Sequence, residues 1–85
     1  MNKFKILRKN IDEIDAKIVS LLLKRSDVVK KIAVYKKSCN LPVVDKQREI
    51  DVLEKAIKKS RGGLSKIFVK DLFQKIIKYS RKLQK

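Results

Sequence analysis

Residues 4–35, FKILRKNIDEIDAKIVSLLLKRSDVVKKIAVY, decide the fold of this chain. Apolar side chains recur along this stretch in alternating steps of three and four residues, which is the spacing of a coiled-coil seam on one long helix. The seam positions are Phe4, Leu7, Ile11, Ile14, Ile18, Leu21, Val28, Ile32 and Tyr35, and Arg25 occupies one further seam position. A helix from about residue 4 to residue 37 would be roughly 50 Å long, so we expect a second chain to cover its apolar face.

Helix-breaking residues divide the chain into three helical stretches. Proline occurs only at Pro42 and glycine only at Gly62–Gly63. The second helix is predicted to begin near Asp45, whose carboxylate suits a helix N-terminus, and the third to begin at Ser65, a favourable N-cap. The sequence therefore predicts an all-α fold, with a long first helix and two shorter ones, in a single domain over residues 1–85. The inward-facing residues of the shorter helices are expected to be Ile50, Leu53, Ile57, Val69, Leu72, Phe73, Ile76, Ile77 and Leu83.

Composition narrows the chemistry that the chain can perform. Lys and Arg number 24 against 9 Asp and Glu, and the net charge of +15 attracts anions of any kind without choosing among them. Histidine is absent, which removes the usual general base and the usual partner of a Ser or Cys nucleophile. We therefore expect no hydrolytic triad. The single cysteine, Cys39, can form no internal disulfide and, without histidine, completes no usual zinc site, so we expect no bound metal. Without a signal-like or membrane-length apolar run, the expected location is the cytoplasm, with no membrane partner.

Cationic side chains interrupt the apolar pattern of the first helix. Arg25 lies in the seam, where a guanidinium is costly unless an anion compensates it. Either an acidic residue of the protein pairs with Arg25, or Arg25 awaits a ligand carboxylate. Lys36 lies about 20° around the helix and roughly 16 Å along it, so Arg25 and Lys36 could hold opposite ends of one small anion. Arg8 is about 25 Å from Arg25 on another face, so it could join such a site only from the partner chain of an antiparallel dimer.

Polar residues also cluster on the two shorter helices. Asp45, Arg48 and Glu49 share one face and offer two acceptors beside one donor, although capping and a local ion pair explain them equally well. Ser80 and Gln84 extend the apolar stripe of the third helix and place a hydroxyl and an amide toward the interior, although ordinary polarity of a chain end remains open for Gln84. This set suits charge placement around a flexible dianion better than bond formation by the protein.

The order and spacing of these residues resemble one known family over nearly the whole chain. The motifs are Leu7-Arg8-x-x-Ile11-Asp12-x-Ile14-Asp15, Leu21-Leu22-x-x-Arg25, Lys36, Pro42-Val43-x-Asp45-x-x-Arg48-Glu49 and Leu72-Phe73-x-x-Ile76-Ile77-x-x-Ser80-x-x-x-Gln84. Together they resemble the all-helical, type II chorismate mutase family. The resemblance implies an intertwined two-fold homodimer that converts chorismate to prephenate without a cofactor, in phenylalanine and tyrosine biosynthesis.

The resemblance also implies a role for each polar residue of the predicted site. The four residues expected to act in catalysis are Lys36, Gln84, Arg25 and Glu49. By family position, Arg25 and the partner's Arg8 would hold the two substrate carboxylates, with assistance from Ser80 and Arg48 of the same chain as Arg25. Asp45 and Glu49 would receive the ring hydroxyl, and Lys36 and Gln84 would donate to the ether oxygen.

Three other functions compete with this interpretation. An isochorismate pyruvate-lyase resembles the same fold, but Glu49 directly after Arg48 favours the mutase, because it supplies an acceptor that the lyase pattern usually lacks. A basic helical nucleic-acid-binding protein would share the charge of +15, but no reading helix or stacking platform accompanies that charge. A dimer that serves only interaction would be inactive. We interpret the outer lysines of the third helix as a solvated face: Lys66, Lys70, Lys75, Lys78 and Lys82.

Overall fold

The computed structural model describes residues 2–85, which form three α-helices and no strand. Helix α1 spans Lys3–Ser38, α2 spans Lys46–Lys59 and α3 spans Lys66–Leu83. The predicted all-α class, the number of helices and their relative lengths are confirmed. The first helix begins and ends within about one residue of the bounds that its apolar periodicity predicted.

Side-chain caps fix where each helix begins. The Asp45 carboxylate accepts a hydrogen bond from the backbone N–H of Arg48 at 3.0 Å, and the Ser65 hydroxyl accepts one from Phe68 at 3.3 Å. Both predicted N-caps are therefore correct. Asn2 caps α1 in the same way, accepting from the backbone N–H of Phe4 at 3.0 Å, and this cap was not predicted. These bonds satisfy N–H groups that have no partner inside the helix.

The turns after α1 and α2 use left-handed backbone. After α1, Asn40 has a φ of 56° and the N–H of Leu41 donates back to the carbonyl oxygen of Lys36 at 2.8 Å. Asparagine tolerates this conformation better than most residues, and the bond satisfies one of the last carbonyls of the helix. After α2, Arg61 and Gly62 have φ values of 52° and 74°. The chain reverses there, so that the end of α3 returns to the beginning of α2.

The three helices do not form a compact bundle. Helix α3 packs against α2 and against the C-terminal half of α1, whereas every residue from Lys3 to Lys24 is exposed. The molecule extends 59 Å along its longest axis and its radius of gyration is 16.3 Å, against about 12 Å for a compact domain of this length. More than half of the chain's longest helix therefore projects beyond the rest of the protein.

The apolar core of the single chain is small. Its buried apolar residues are Val29, Val69 and Ile77. Val29 lies outside the predicted seam, about 100° around the helix from Val28, so a second face of α1 packs against α3. The seam itself stays open, as shown by the exposed fraction of its residues: 56% for Ile14 and 62% for Leu21.

Two predicted inward positions are wrong. Ile50 on α2 is 48% exposed and Leu72 on α3 is 42% exposed, because each lines an open cavity beside the contact between α2 and α3. Cys39 is free and exposed at the end of α1. None of the helices within residues 2–85 combines the length and the apolar character needed to cross a membrane.

Candidate active site

The last turns of α3 bind both other helices through three polar side chains. This end of α3 reaches α1 at two points and α2 at one, because the chain reversal brings it beside the first turn of α2. The side-chain pairs are Ser80 with Arg25, Gln84 with Lys36, and Arg81 with Glu49. Most of the polar residues predicted from sequence therefore lie in one cluster.

Arg25 enters this cluster without an acidic partner. Its guanidinium donates to the hydroxyl of Ser80, which is buried and in turn donates to the carbonyl oxygen of Ile76 at 2.9 Å. Within residues 2–85 the one ion pair joins Arg81 and Glu49, so Arg25 has no acidic partner in its own chain. Burial lowers the pKa of Arg25 from its usual value, and the positive charge of Arg48 lowers it further. The two arginines thus create a positive potential that an anion would relieve.

Lys36 is held in one position by two acceptors. Its ammonium donates to the carbonyl oxygen of Val43 at 2.8 Å and to Oε1 of Gln84 at 2.9 Å. An ammonium has three N–H groups, so one remains for a ligand. Because lysine can only donate, the side-chain oxygen of Gln84 must face it, and the amide nitrogen of Gln84 donates to the carbonyl oxygen of Ser80 at 3.3 Å. Gln84 is half-buried and its side chain makes two hydrogen bonds, so it is not simply a polar residue at a frayed chain end.

The acidic residues of α2 differ in their surroundings. Asp45 is exposed and caps the helix, which confirms the capping interpretation for this residue. Glu49 is half-buried, and both of its oxygens accept from Arg81, at 2.7 Å from Nε and 2.5 Å from Nη2. The predicted alternative of an ion pair local to α2 is therefore wrong, because the cation comes from α3. Arg48 is exposed, and its side chain makes no hydrogen bond among the described residues.

The Glu49 carboxylate is kept ionised by its neighbours. The hydrogen bonds from Arg81 are the largest cause that lowers the pKa of Glu49, and the charge of Lys36 acts in the same direction. Burial and the negative charge of Asp45 oppose this shift but do not reverse it. The site therefore presents a negative acceptor beside several cationic donors.

Arg8 lies outside this cluster, in the exposed N-terminal half of α1. Its guanidinium stacks over the ring of Phe4, 5.8 Å from the ring centroid. Seventeen helical positions separate it from Arg25, a distance of about 25 Å along a straight helix. One chain alone therefore brings together the other predicted site residues but not Arg8.

Sequence reasoning missed Arg81. A signal was present, because Arg81 follows Ile77 by four residues and precedes Gln84 by three, and this spacing places all three on the inward side of α3. The positive charge of Arg81 alone gave no reason to prefer Glu49 over other acidic residues as its partner. That pairing depends on how α3 is rotated against α2.

Comparison with known proteins identifies relatives over the whole length of the chain. The family described as chorismate mutase type II matches residues 7–85. A chorismate mutase of Methanocaldococcus jannaschii is 33% identical, with all of this chain aligned to 87% of that protein. A bifunctional chorismate mutase/prephenate dehydratase of Aquifex aeolicus is 32% identical, and this chain spans only 25% of its length. Among solved structures, a conserved hypothetical protein from Pyrococcus furiosus matches with a TM-score of 0.77 and 34% identity, covering 100% of this chain and 99% of that one.

Proposed function

The chain belongs to the type II chorismate mutase family, and we propose that it converts chorismate to prephenate at the cluster formed by the end of α3. The observation that carries this proposal is the contact between Lys36 and Gln84. Each of these side chains is anchored by hydrogen bonds and keeps an N–H group free. Two fixed donors beside unpaired arginines suit a dianion whose charge shifts during the reaction.

The arginines of the cluster would bind the substrate carboxylates. Arg25 uses one N–H group on Ser80 and keeps the others for a ligand. Burial and, to a smaller extent, repulsion from Arg48 lower the pKa of Arg25, and a carboxylate between the two arginines would relieve that repulsion. Ser80 would hold Arg25 in the orientation that the carboxylate requires. The electrostatics of the site thus favour a ligand with negative charge.

The acidic residues would accept the ring hydroxyl. Each oxygen of Glu49 accepts one N–H group from Arg81 and keeps a lone pair for a further donor. Asp45 uses one carboxylate oxygen to cap α2 and keeps the other. This acceptor on Glu49 supports the mutase over the pyruvate-lyase.

The reaction itself needs no nucleophile or base from the protein. The bond between the ring carbon and the ether oxygen breaks while the enolpyruvyl methylene carbon bonds to another ring carbon, so all atoms stay in one molecule. Negative charge grows on the ether oxygen as its bond lengthens. Lys36 and Gln84 would donate to that oxygen and stabilise the transition state more than the ground state.

A homodimer would complete the site. The open seam of α1 needs an apolar cover, and a groove of about 510 Å³ between α2 and α3 offers one, with Arg48, Val52 and Val69 in its lining. The projecting N-terminal part of α1 from a second chain would fill such a groove and bring the partner's Arg8 to the arginine cluster. Buried seam residues would also enlarge the small core.

The direct test is to incubate the purified chain with chorismate and, separately, with isochorismate. We expect prephenate from chorismate, and neither salicylate nor pyruvate from isochorismate at a comparable rate. Salicylate and pyruvate without prephenate would establish the lyase instead, and no turnover of either substrate would favour an interaction dimer. Cytoplasmic location stays a prediction.

A further inference from the structure

The ion pair between Glu49 and Arg81 is a feature that the reaction chemistry does not require. It joins the first turn of α2 to the last turn of α3, and it is the single ion pair among residues 2–85. The contact is bidentate: Nε of Arg81 lies 2.7 Å from Oε2 and Nη2 lies 2.5 Å from Oε1. Two parallel bonds fix the plane of the carboxylate as well as its distance.

We propose that Arg81 is a positioning residue, which holds the Glu49 carboxylate in the orientation that receives the ring hydroxyl of the substrate. This inference rests on the proposed function, because it assigns Glu49 to that hydroxyl. Arg81 itself does not touch the substrate. Its two N–H groups occupy one lone pair on each oxygen of Glu49, so the remaining lone pairs point in directions that Arg81 determines.

Arg81 also prevents Glu49 from pairing with the wrong cation. The positive charge of Lys36 acts on Glu49 and contributes to lowering its pKa. A glutamate free to rotate would be drawn to the third N–H group of Lys36, which the ether oxygen needs in the transition state. By holding both oxygens of Glu49, Arg81 keeps that N–H group available.

The charged groups around Glu49 determine how its role depends on pH. Arg81 faces it from α3, Lys36 from α1 and Asp45 from its own helix, and the cavity beside it is also lined by Lys46 and Lys78. The hydrogen bonds from Arg81 are the largest cause that lowers its pKa. Removing Arg81 raises that pKa, so a larger fraction of Glu49 is protonated at acidic pH in the variant than in the wild type.

The test compares Arg81→Met, Arg81→Lys and the control Lys82→Met by kcat/KM between about pH 5 and pH 8. Lys82 is an exposed neighbour of Arg81 on α3. Its side chain makes no hydrogen bond or ion pair among residues 2–85, so Lys82→Met removes one positive charge without breaking such a contact. We expect Arg81→Met to lose roughly five-fold at pH 7.5 and at least about two-fold more at pH 5. Arg81→Lys keeps the positive charge but cannot form the two parallel hydrogen bonds, so it should retain more activity than Arg81→Met at acidic pH. Lys82→Met should follow the wild type.

A second comparison separates positioning from a structural role. In a Glu49→Gln background, Arg81→Met should change kcat/KM by less than about two-fold, because the carboxylate through which Arg81 acts is gone. An equal loss in both backgrounds, or a loss that does not change with pH, would overturn the role of Arg81 while leaving the mutase activity in place. A wild-type chain that leaves chorismate unchanged would overturn the proposed function, and the role of Arg81 with it.

Discussion

The ammonium of Lys36 on α1 lies 2.9 Å from the side-chain oxygen of Gln84, which caps the C-terminus of α3. This bond joins residues 48 positions apart in the chain. It orients both side chains at once, since the ammonium can only donate and the amide must therefore direct its nitrogen elsewhere. In the proposed reaction, this pair would donate to the ether oxygen, on which negative charge develops.

Lys36→Ala should lower kcat by about 10² or more, because it removes a fixed donor from an oxygen that gains negative charge in the transition state. The matched control is Lys37→Ala, which removes an exposed lysine from the same last turn of α1. Rates of prephenate formation would be measured for both. Comparable losses in the two variants would mean that the overall positive charge matters more than the position of Lys36.

The wild-type chain should be a dimer at micromolar concentration, because the seam of α1 has no cover within its own chain. Its solution mass, measured by light scattering, should be about twice the 9.9 kDa of one chain. Ile14→Lys, in the seam, should weaken the dimer, whereas Val34→Lys should not, although Val34 is 71% exposed and also apolar. A folded, monodisperse wild-type monomer would refute the interface.

Mixing two inactive variants should restore activity if Arg8 acts across the interface. Arg8→Ala and Arg25→Ala each damage both sites of their own homodimers, but a heterodimer assembles one site that contains both wild-type arginines. Random exchange should recover about a quarter of the wild-type rate, because half of the dimers would carry one intact site out of two. No recovery despite demonstrated subunit exchange would show that Arg8 does not act from the partner.

Local chemistry explains which parts of the fold could be predicted from the sequence. Asp45 and Ser65 marked helix starts because an N-cap is a contact within one turn. Val29 was missed as a core residue because the stronger periodicity belongs to the seam, while only the C-terminal half of α1 packs on α3. The pattern of apolar residues does not show which face of a helix meets its own chain.

The candidate site could be predicted only in part for a related reason. Spacing placed Arg25 and Lys36 on neighbouring faces of one helix, but their contacts with Ser80 and Gln84 join distant parts of the chain. The family resemblance grouped these residues, whereas their periodicity alone left structural explanations open. The pairing of Glu49 depends on the rotation of α3, so neither the spacing nor the resemblance indicated it.

Gln84→Glu tests the central claim most directly, since an amide donates at any pH whereas a carboxyl group can donate to the ether oxygen only while protonated. When ionised, the introduced carboxylate would pair with Lys36 and repel an oxygen that gains negative charge. The measurement is the ratio of variant to wild-type kcat from about pH 4.5 to pH 8.5, within the range where both stay folded. We predict a ratio far below one at neutral pH that rises steadily on acidification. A ratio that stays flat or falls would contradict the placement of Gln84 and Lys36 at the reacting oxygen.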